Sequence, residues 1–406
     1  MFTSTTLPKI LVVTHGASAT GFSRVADGII SNLLGEYNFY QFATNHRRDV
    51  VEGRWPIFGN PNDIDAYGLD RLTELIDLIQ PQIILIMNDL WFLCMHLPRL
   101  KQKANRPILI GYCPVDGKLT IPNLYKGIAH LDQIVAYTHF GAMELSKVLD
   151  ATDQNLSPTF DHDIHIIPHG VDTNTFFPLD QDSNQKRNQA KQIWFEDKED
   201  SDGFIVLNAS KHQPRKRIDL TIEGFAKFAY DKPPNVKLYL HTGATFDGPD
   251  IRMLAQKAGI FERLLISPGW LQDHPAVNDE QLNILYNACD VGINTSMGEG
   301  WGLVSFEHAA TGAPQIIPNH SACTELWSEV DTLIPTRREM EHKGLGMIWS
   351  ELDPTDIADA LEQLYTDKLF YQAQAEKSSN IALKEIYNWQ NIAARWDDLF
   401  KYWLSR

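Results

Sequence analysis

Short apolar runs alternate with longer segments of helical period along most of this chain. The runs at 10–14, 83–87, 108–112, 134–138 and 164–167 read as buried strands, as do those at 204–209, 236–241, 264–266, 290–294 and 315–317. Between them, segments such as 22–34, 219–230, 280–288 and 301–311 repeat apolar residues at helical spacing. Strands alternating with helices predict an α/β fold with parallel sheets in doubly wound layers. The pattern pauses at 179–203, which is mostly polar and charged and reads as a solvated linker or helix start. The predicted domains are therefore 1–178 and 179–386, two α/β halves of similar size. Helices are expected at 356–365, 370–386 and 389–404. The last has an apolar stripe of Trp389, Ile392, Trp396, Leu399 and Trp403. Residues 387–406 therefore either pack back on the N-terminal domain or are buried against their own.

Composition narrows this picture. A length of 406 residues exceeds what one core usually serves, which supports two domains. A net charge of −16 argues against a broad nucleic-acid surface. Cys94, Cys113, Cys289 and Cys323 lie far apart with no C-x-x-C pair, so neither a disulfide framework nor a zinc site is expected, and a reducing cytosol fits. The most apolar stretch, 83–97, is broken by Asn88, Asp89 and His96 and is too short to span a bilayer. The first fifteen residues lack the basic start and apolar core of a signal peptide and read as a first strand instead.

The chemistry concentrates in Gly298-Glu299-Gly300-Trp301-Gly302-Leu303-Val304-Ser305-Phe306-Glu307. Just upstream, 289–296 reads as a short buried strand with a polar end. Strand, glycine turn and helix together aim backbone N–H groups at an anion. Glu299 and Glu307 add hydroxyl acceptors on either side. Glu307 sits among Val304, Phe306, Ala309 and Ala310, so it is expected to be buried and to need a partner. Phosphate plus sugar hydroxyls suits such a site, and a nucleotide-sugar has both.

Two further loops follow predicted strands. The C-terminal half opens with Lys211, Arg215, Lys216 and Arg217 within seven residues. A charge run is usually a solvated face, but this one lies where a diphosphate would need cations. The N-terminal half opens with a loop containing Gly16 and Gly21, followed by Arg24. It lacks the P-loop lysine and is not G-x-G-x-x-G, so it is either a loop facing a ligand or a plain tight turn. Asp116, after the strand at 108–112, is either a functional carboxylate or a turn residue beside Gly117. His139 and His15 are weaker candidates.

Taken in order, Ile167-Pro168-His169-Gly170-Val171-Asp172, Arg215-Lys216, the Glu299 to Glu307 segment and Ala309-Ala310-Thr311-Gly312-Ala313-Pro314 resemble the retaining glycosyltransferases of family 4, also called group 1, with the GT-B fold. The resemblance is strongest from about 164 to 326. It implies two Rossmann-like domains facing each other across a cleft, with donor in the C-terminal half and acceptor in the N-terminal half. It assigns Lys216 to the donor diphosphate, Glu307 to the ribose and Glu299 to the donor sugar. It brings the amides of Gly302, Leu303 and Val304 to the phosphate and sugar, and the Gly16 to Gly21 loop near the diphosphate. The family's usual arginine five or six residues before the lysine is missing, so Lys211 or Arg215 is expected to supply the second charge. Asp116 is the candidate beside the reacting sugar.

The resulting expectation is a retaining, metal-independent transferase. It would move a sugar from a UDP- or GDP-sugar to a glycan or lipid-linked acceptor in polysaccharide or glycan assembly, with no cofactor and no nucleic-acid partner. The D-x-D strings at 63–65, 161–163, 180–182 and 200–202 lie in polar stretches of an acidic chain, where chance accounts for them better than a metal. The alternatives are a nucleotide-sugar epimerase, a nicotinamide oxidoreductase (disfavoured by the missing glycine fingerprint) and a non-catalytic nucleotide-sugar binder. Peripheral contact with the inner face of a membrane through Lys101, Lys103, Arg106, Trp91 and Phe92 is weighed against an ordinary amphipathic surface helix, which is the stronger reading.

Overall fold

The computed structural model describes residues 7–16, 20–50, 53–102, 106–152, 163–179, 183–195, 197–243, 247–267 and 277–406. It divides into two compact units. The first comprises Met1–Gly170, His342–Met347 and Ile386–Arg406, the second Val171–Glu341 and Ile348–Glu385.

The first unit runs β1 (Lys9–Thr14), α1 (Gly21–Leu33), β2 (Asn38–Ala43), β3 (Ile57–Gly59), α2 (Leu69–Ile79), β4 (Ile83–Met87), α3 (Leu90–Lys101), β5 (Ile108–Cys113), β6 (Lys118–Leu119), β7 (Gln133–Ala136), α4 (His139–Asp150) and β8 (His165–Ile166). Seven of these strands form one sheet in the order β3-β2-β1-β4-β5-β7-β8. Every pair in it is parallel. The order turns back between β1 and β4, so the loop after β1 lies at the switch point where α/β sheets bind ligands. β4, all apolar, is buried throughout, as a strand covered on both faces must be.

The second unit begins with α5 (Ser183–Trp194) and α6 (Lys198–Ser201). Then come β9 (Phe204–Asn208), α7 (Ile218–Phe228), β10 (Val236–Leu240), α8 (Ile251–Lys257), β11 (Leu264–Ile266), α9 (Asp279–Ala288), β12 (Val291–Ile293), α10 (Leu303–Ala310), β13 (Gln315–Pro318), α11 (Ser321–Leu326) and β14 (Leu333–Ile334). Its sheet, β11-β10-β9-β12-β13-β14, is also parallel and turns back between β9 and β12. The hairpin β15 (Thr336–His342) and β16 (Met347–Leu352) follows, then α12 (Pro354–Thr366) and α13 (Lys368–Ala382). Val206, Phe225, Leu238, Val291, Ile316 and Ile357 are among the fully buried residues of its core.

The last helix, α14 (Trp389–Leu404), belongs to the first unit. Its stripe is buried: Ile392 and Trp396 are 0% exposed. Trp389 lies against Gly28 and Gly170, where any Cβ would collide with the indole. The Asp397 carboxylate accepts from Tyr37 Oη at 2.7 Å.

The polar stretch read as a linker or helix start holds α5 and α6, and it is not wholly solvated. Lys191 is buried and donates to Asp290 Oδ2 at 2.7 Å and to the Gly203 carbonyl at 2.6 Å. Strands β2, β3, β6, β14, β15 and β16 have no counterpart in the apolar runs. In β2 the run is interrupted by buried Gln41, whose amide donates to the His15 carbonyl at 2.7 Å and accepts from Trp55 Nε1 at 2.9 Å. The hairpin strand β15, Thr-Arg-Arg-Glu-Met-Glu-His, is exposed for most of its length and carries no core signal.

Candidate functional site

The site in the second unit is assembled from loops after β9, β12 and β13, three adjacent strands of one sheet. Behind the loop after β9, the Asn208 side chain donates to Thr221 Oγ1 at 2.8 Å and accepts from Ser210 N–H at 2.9 Å. Thr295 Oγ1, after β12, contacts the carbonyls of Lys216 and Arg217 at 2.9 and 3.0 Å. The Met297 N–H donates to the Arg215 carbonyl at 2.8 Å. The basic loop and the glycine turn are thus tied together through their backbones.

Lys216 and Glu299 meet at the centre. Lys216 Nζ lies 2.5 Å from Glu299 Oε2, and Arg215 Nη1 lies 3.6 Å from the same oxygen. Arg215 also donates to the Gly298 carbonyl. Ser296 Oγ donates to Glu299 Oε2 at 2.9 Å. Burial by itself would raise the Glu299 pKa, since Glu299 is only 8% exposed. The Lys216 and Arg215 charges, with hydrogen bonds from Lys216 and Ser296, overcome this and hold it down to about 2. Glu299 is therefore a carboxylate at every ordinary pH. Lys211 is in the same loop, part-buried.

Gly302 caps α10 with φ 95 and ψ 53, the left-handed region that glycine occupies without a Cβ clash. It swings the chain from the Glu299 turn into the helix. The first-turn amides of such a helix, here at Leu303 and Val304, have no intrahelical acceptor and point out of its positive end. Glu307, one turn further on, is 4% exposed, and one of its partners is Tyr286, whose hydroxyl donates to Oε2 at 3.2 Å.

Residue type and spacing did not single out several parts of this site. Ser321 Oγ lies 3.2 Å from the Glu299 N–H and 3.0 Å from its carbonyl. His320 bridges Ser321 Oγ at 2.8 Å and the Ser296 carbonyl at 2.6 Å. Ser321 has φ 44, and Tyr286 comes from α9. Ser296 alone carried a signal, as a polar residue ending a buried strand.

The remaining candidates lie in the first unit. Gly16 is buried, and its N–H donates to Asn45 Oδ1 at 2.8 Å. Gly21 is exposed and opens α1 behind the N-cap Thr20. Residues 17–19 of that loop lie outside the described residues. His15 Nδ1 sits 3.3 Å from Thr20 Oγ1. Asp116 is part-buried between β5 and β6, and His139 is the first residue of α4. His169 is buried and engaged with the Tyr112 hydroxyl at 2.8 Å, and burial pushes its pKa down to about 3. It is a neutral core histidine.

Several acidic and basic candidates are taken up by the fold itself. Asp65 accepts from the Leu69 and Asp70 N–H groups at 2.9 and 2.7 Å, and Asp63 pairs with Arg47 at 3.2 Å. Asp200 pairs with Lys237 at 3.3 Å. Asp161, His162 and the string 180–182 lie outside the described residues. Among the described residues no cluster of three metal-ligating side chains occurs. Of the residues weighed for membrane contact, Phe92 is buried, Arg106 pairs with buried Asp132, and Lys103 lies outside the described residues. Among the described residues, no helix is long and apolar enough to cross a membrane.

Residues 203–367 match the family model "Glycosyl transferases group 1". A mannosylfructose-phosphate synthase of Agrobacterium fabrum is 32% identical over 162 residues, covering 39% of this chain and 33% of that protein. The match thus spans about a third of the length of that curated relative. Among solved structures, a sucrose-phosphate synthase from Thermosynechococcus elongatus superposes with a TM-score of 0.71 at 15% identity, over 98% of this chain and 99% of its own. Anabaena HepE in complex with UDP-glucose gives 0.69 at 16% identity, over 97% and 99%. The fold is GT-B, with two Rossmann-like domains. The family resemblance carried by the motifs is borne out, and the chain carries a glycosyltransferase group 1 domain.

Proposed function

We propose that this chain is a retaining glycosyltransferase that moves a sugar from a nucleotide-diphosphate sugar to a hydroxyl acceptor. The observation that carries the reading is the Lys216–Glu299 pair at 2.5 Å, set before the N-terminus of α10. Cation, carboxylate and helix amides in one place match a diphosphate and a sugar. The structural neighbour HepE is described in complex with UDP-glucose, which supports the donor class. The family model is of transferases, which disfavours the epimerase alternative.

In this reading Lys216, with Arg215 or Lys211, neutralises the diphosphate. The amides of Gly302, Leu303 and Val304 approach its oxygens, Glu307 holds the ribose and Glu299 faces the transferred sugar. The bond from the anomeric carbon to the leaving phosphate oxygen breaks. A bond from the acceptor oxygen forms on the same face, and the acceptor proton passes to the leaving phosphate. The protein supplies positioning and electrostatic stabilisation of the departing diphosphate. Lys216 and the helix dipole provide the positive charge, so the reaction is assigned no metal. Asp116, His139 and His15 are the acceptor-side candidates, with Asp116 preferred, and Gly16 and Gly21 belong to the loop assigned near the diphosphate. The acceptor class proposed is a glycan or lipid-linked hydroxyl.

A thermal-shift panel of UDP-, GDP- and ADP-sugars tests this. One nucleotide class should raise the melting temperature through ligand linkage. No shift with any of them at millimolar concentration would contradict the donor assignment.

A further inference from the structure

Arg217 directly follows the lysine assigned to the diphosphate, yet its own side chain is turned elsewhere. Its backbone is left-handed, with φ 47 and ψ 50, a conformation that residues with a Cβ adopt at a cost. Its guanidinium is used from both sides. Nε and Nη2 donate to Asp219 at 3.0 and 2.8 Å, and Nη1 donates to Glu351 on β16. Its side chain is 19% exposed and that of Glu351 16%. The neighbouring residue on β16, Ser350, donates its N–H to the Met297 carbonyl at 2.8 Å, and the Met297 N–H donates to the Arg215 carbonyl at 2.8 Å. The basic loop, the glycine turn and β16 are therefore stitched into one unit, and Arg217 is the side-chain tie between the first and the last.

We propose that Arg217 and Glu351 are positioning residues whose ion pair fixes the left-handed turn that presents Lys216 to the donor diphosphate. The proposal rests on the donor-site reading above. It also divides the basic cluster: with its fork engaged by two carboxylates, Arg217 orients the loop, and the phosphate contacts fall to its neighbours. A glycine would meet the backbone requirement at 217 with less strain. What a glycine lacks is the tie to Glu351, and this separates a backbone role from a positioning role.

The test uses the full-length protein and calorimetric titration with inorganic pyrophosphate, which needs no knowledge of the base, with UDP, GDP and ADP in parallel. Arg217→Gly relieves the left-handed turn but takes the guanidinium from Glu351 and Asp219, so it should fold with a lower melting temperature and bind the probe at least about ten-fold more weakly. Glu351→Gln, which keeps the size of the side chain, should show the same loss and decides the matter if Arg217→Gly does not fold. The double variant Arg217→Gly with Lys216→Ala should bind no more weakly than Lys216→Ala alone, since residues acting through one contact are not additive. Wild-type affinity in folded Arg217→Gly or Glu351→Gln, or losses that add in the double variant, would overturn the proposal while leaving the donor site intact. A wild-type protein that binds neither pyrophosphate nor any of the nucleotides would remove the donor site itself, and the positioning role with it.

Discussion

Lys216 Nζ lies 2.5 Å from Glu299 Oε2, joining the loop after β9 to the turn before α10. The two side chains are 15% and 10% exposed, so the pair is largely desolvated and each partner depends on the other. A bound diphosphate would compete with Glu299 for Lys216.

Lys216→Ala should weaken donor binding and lower turnover by roughly 10²–10³-fold, the effect of losing one main electrostatic contact to a developing charge. Among the described residues Glu299 would keep Arg215, at 3.6 Å, as its positive neighbour, so its pKa should rise above the present value. Steady-state kinetics of a folded variant measure the first effect. Unchanged kinetics would take Lys216 out of the site.

Stability should fall on mild acidification. Burial pushes the pKa of His96 down to about 4, and those of His169 and His308 to about 3. The unfolded chain takes up protons at these positions below about pH 6.5 while the folded chain does not. Each histidine therefore costs about 1.4 kcal/mol per pH unit from there down to its folded pKa. Glu299 adds its own loss later, between its unfolded value of about 4.3 and its folded value of about 2. Denaturant midpoints at pH 7, 6 and 5 measure this. Flat midpoints across that range would show that the buried histidines are protonated in the native protein.

Much of this was legible in the chain because residue type and strand-end position agree. Glu299, Glu307 and the four cations after β9 all follow short apolar runs, where an α/β sheet exposes its ligand-binding edge. What the chain could not show is which cation points where. Arg217 belongs in sequence to the basic cluster offered to a diphosphate, but its partner Glu351 lies 134 residues away on β16, a short strand that the apolar runs did not include. Ser321 was invisible for a related reason, because its contacts to the Glu299 backbone reach across 22 residues from the loop after β13. Tyr286 as a partner of Glu307 depends on how α9 packs against α10. In the first unit, β2 was missed because a buried, hydrogen-bonded glutamine interrupts its apolar run.

Transfer should persist in excess EDTA after dialysis. The motive is positive: Lys216, Arg215 and the N-terminus of α10 supply charge where a cation would otherwise be needed. Activity that vanishes with chelator and returns with magnesium or manganese would contradict the metal-free assignment.

The two carboxylates provide the most direct measurement. Glu307 is assigned to the ribose, a group every nucleotide donor carries, and Glu299 to the transferred sugar. Glu307→Gln should weaken both the free nucleotide diphosphate and the full donor. Glu299→Gln should bind the free diphosphate as well as wild type or better, because Lys216 is released from its ion pair, and should lose mainly turnover. Calorimetric titration of both variants with nucleotide alone, beside steady-state rates with the donor, separates these outcomes. Nucleotide binding lost in Glu299→Gln and intact in Glu307→Gln would reverse the roles. No change in either variant would make the pair structural and contradict the glycosyltransferase account of this site.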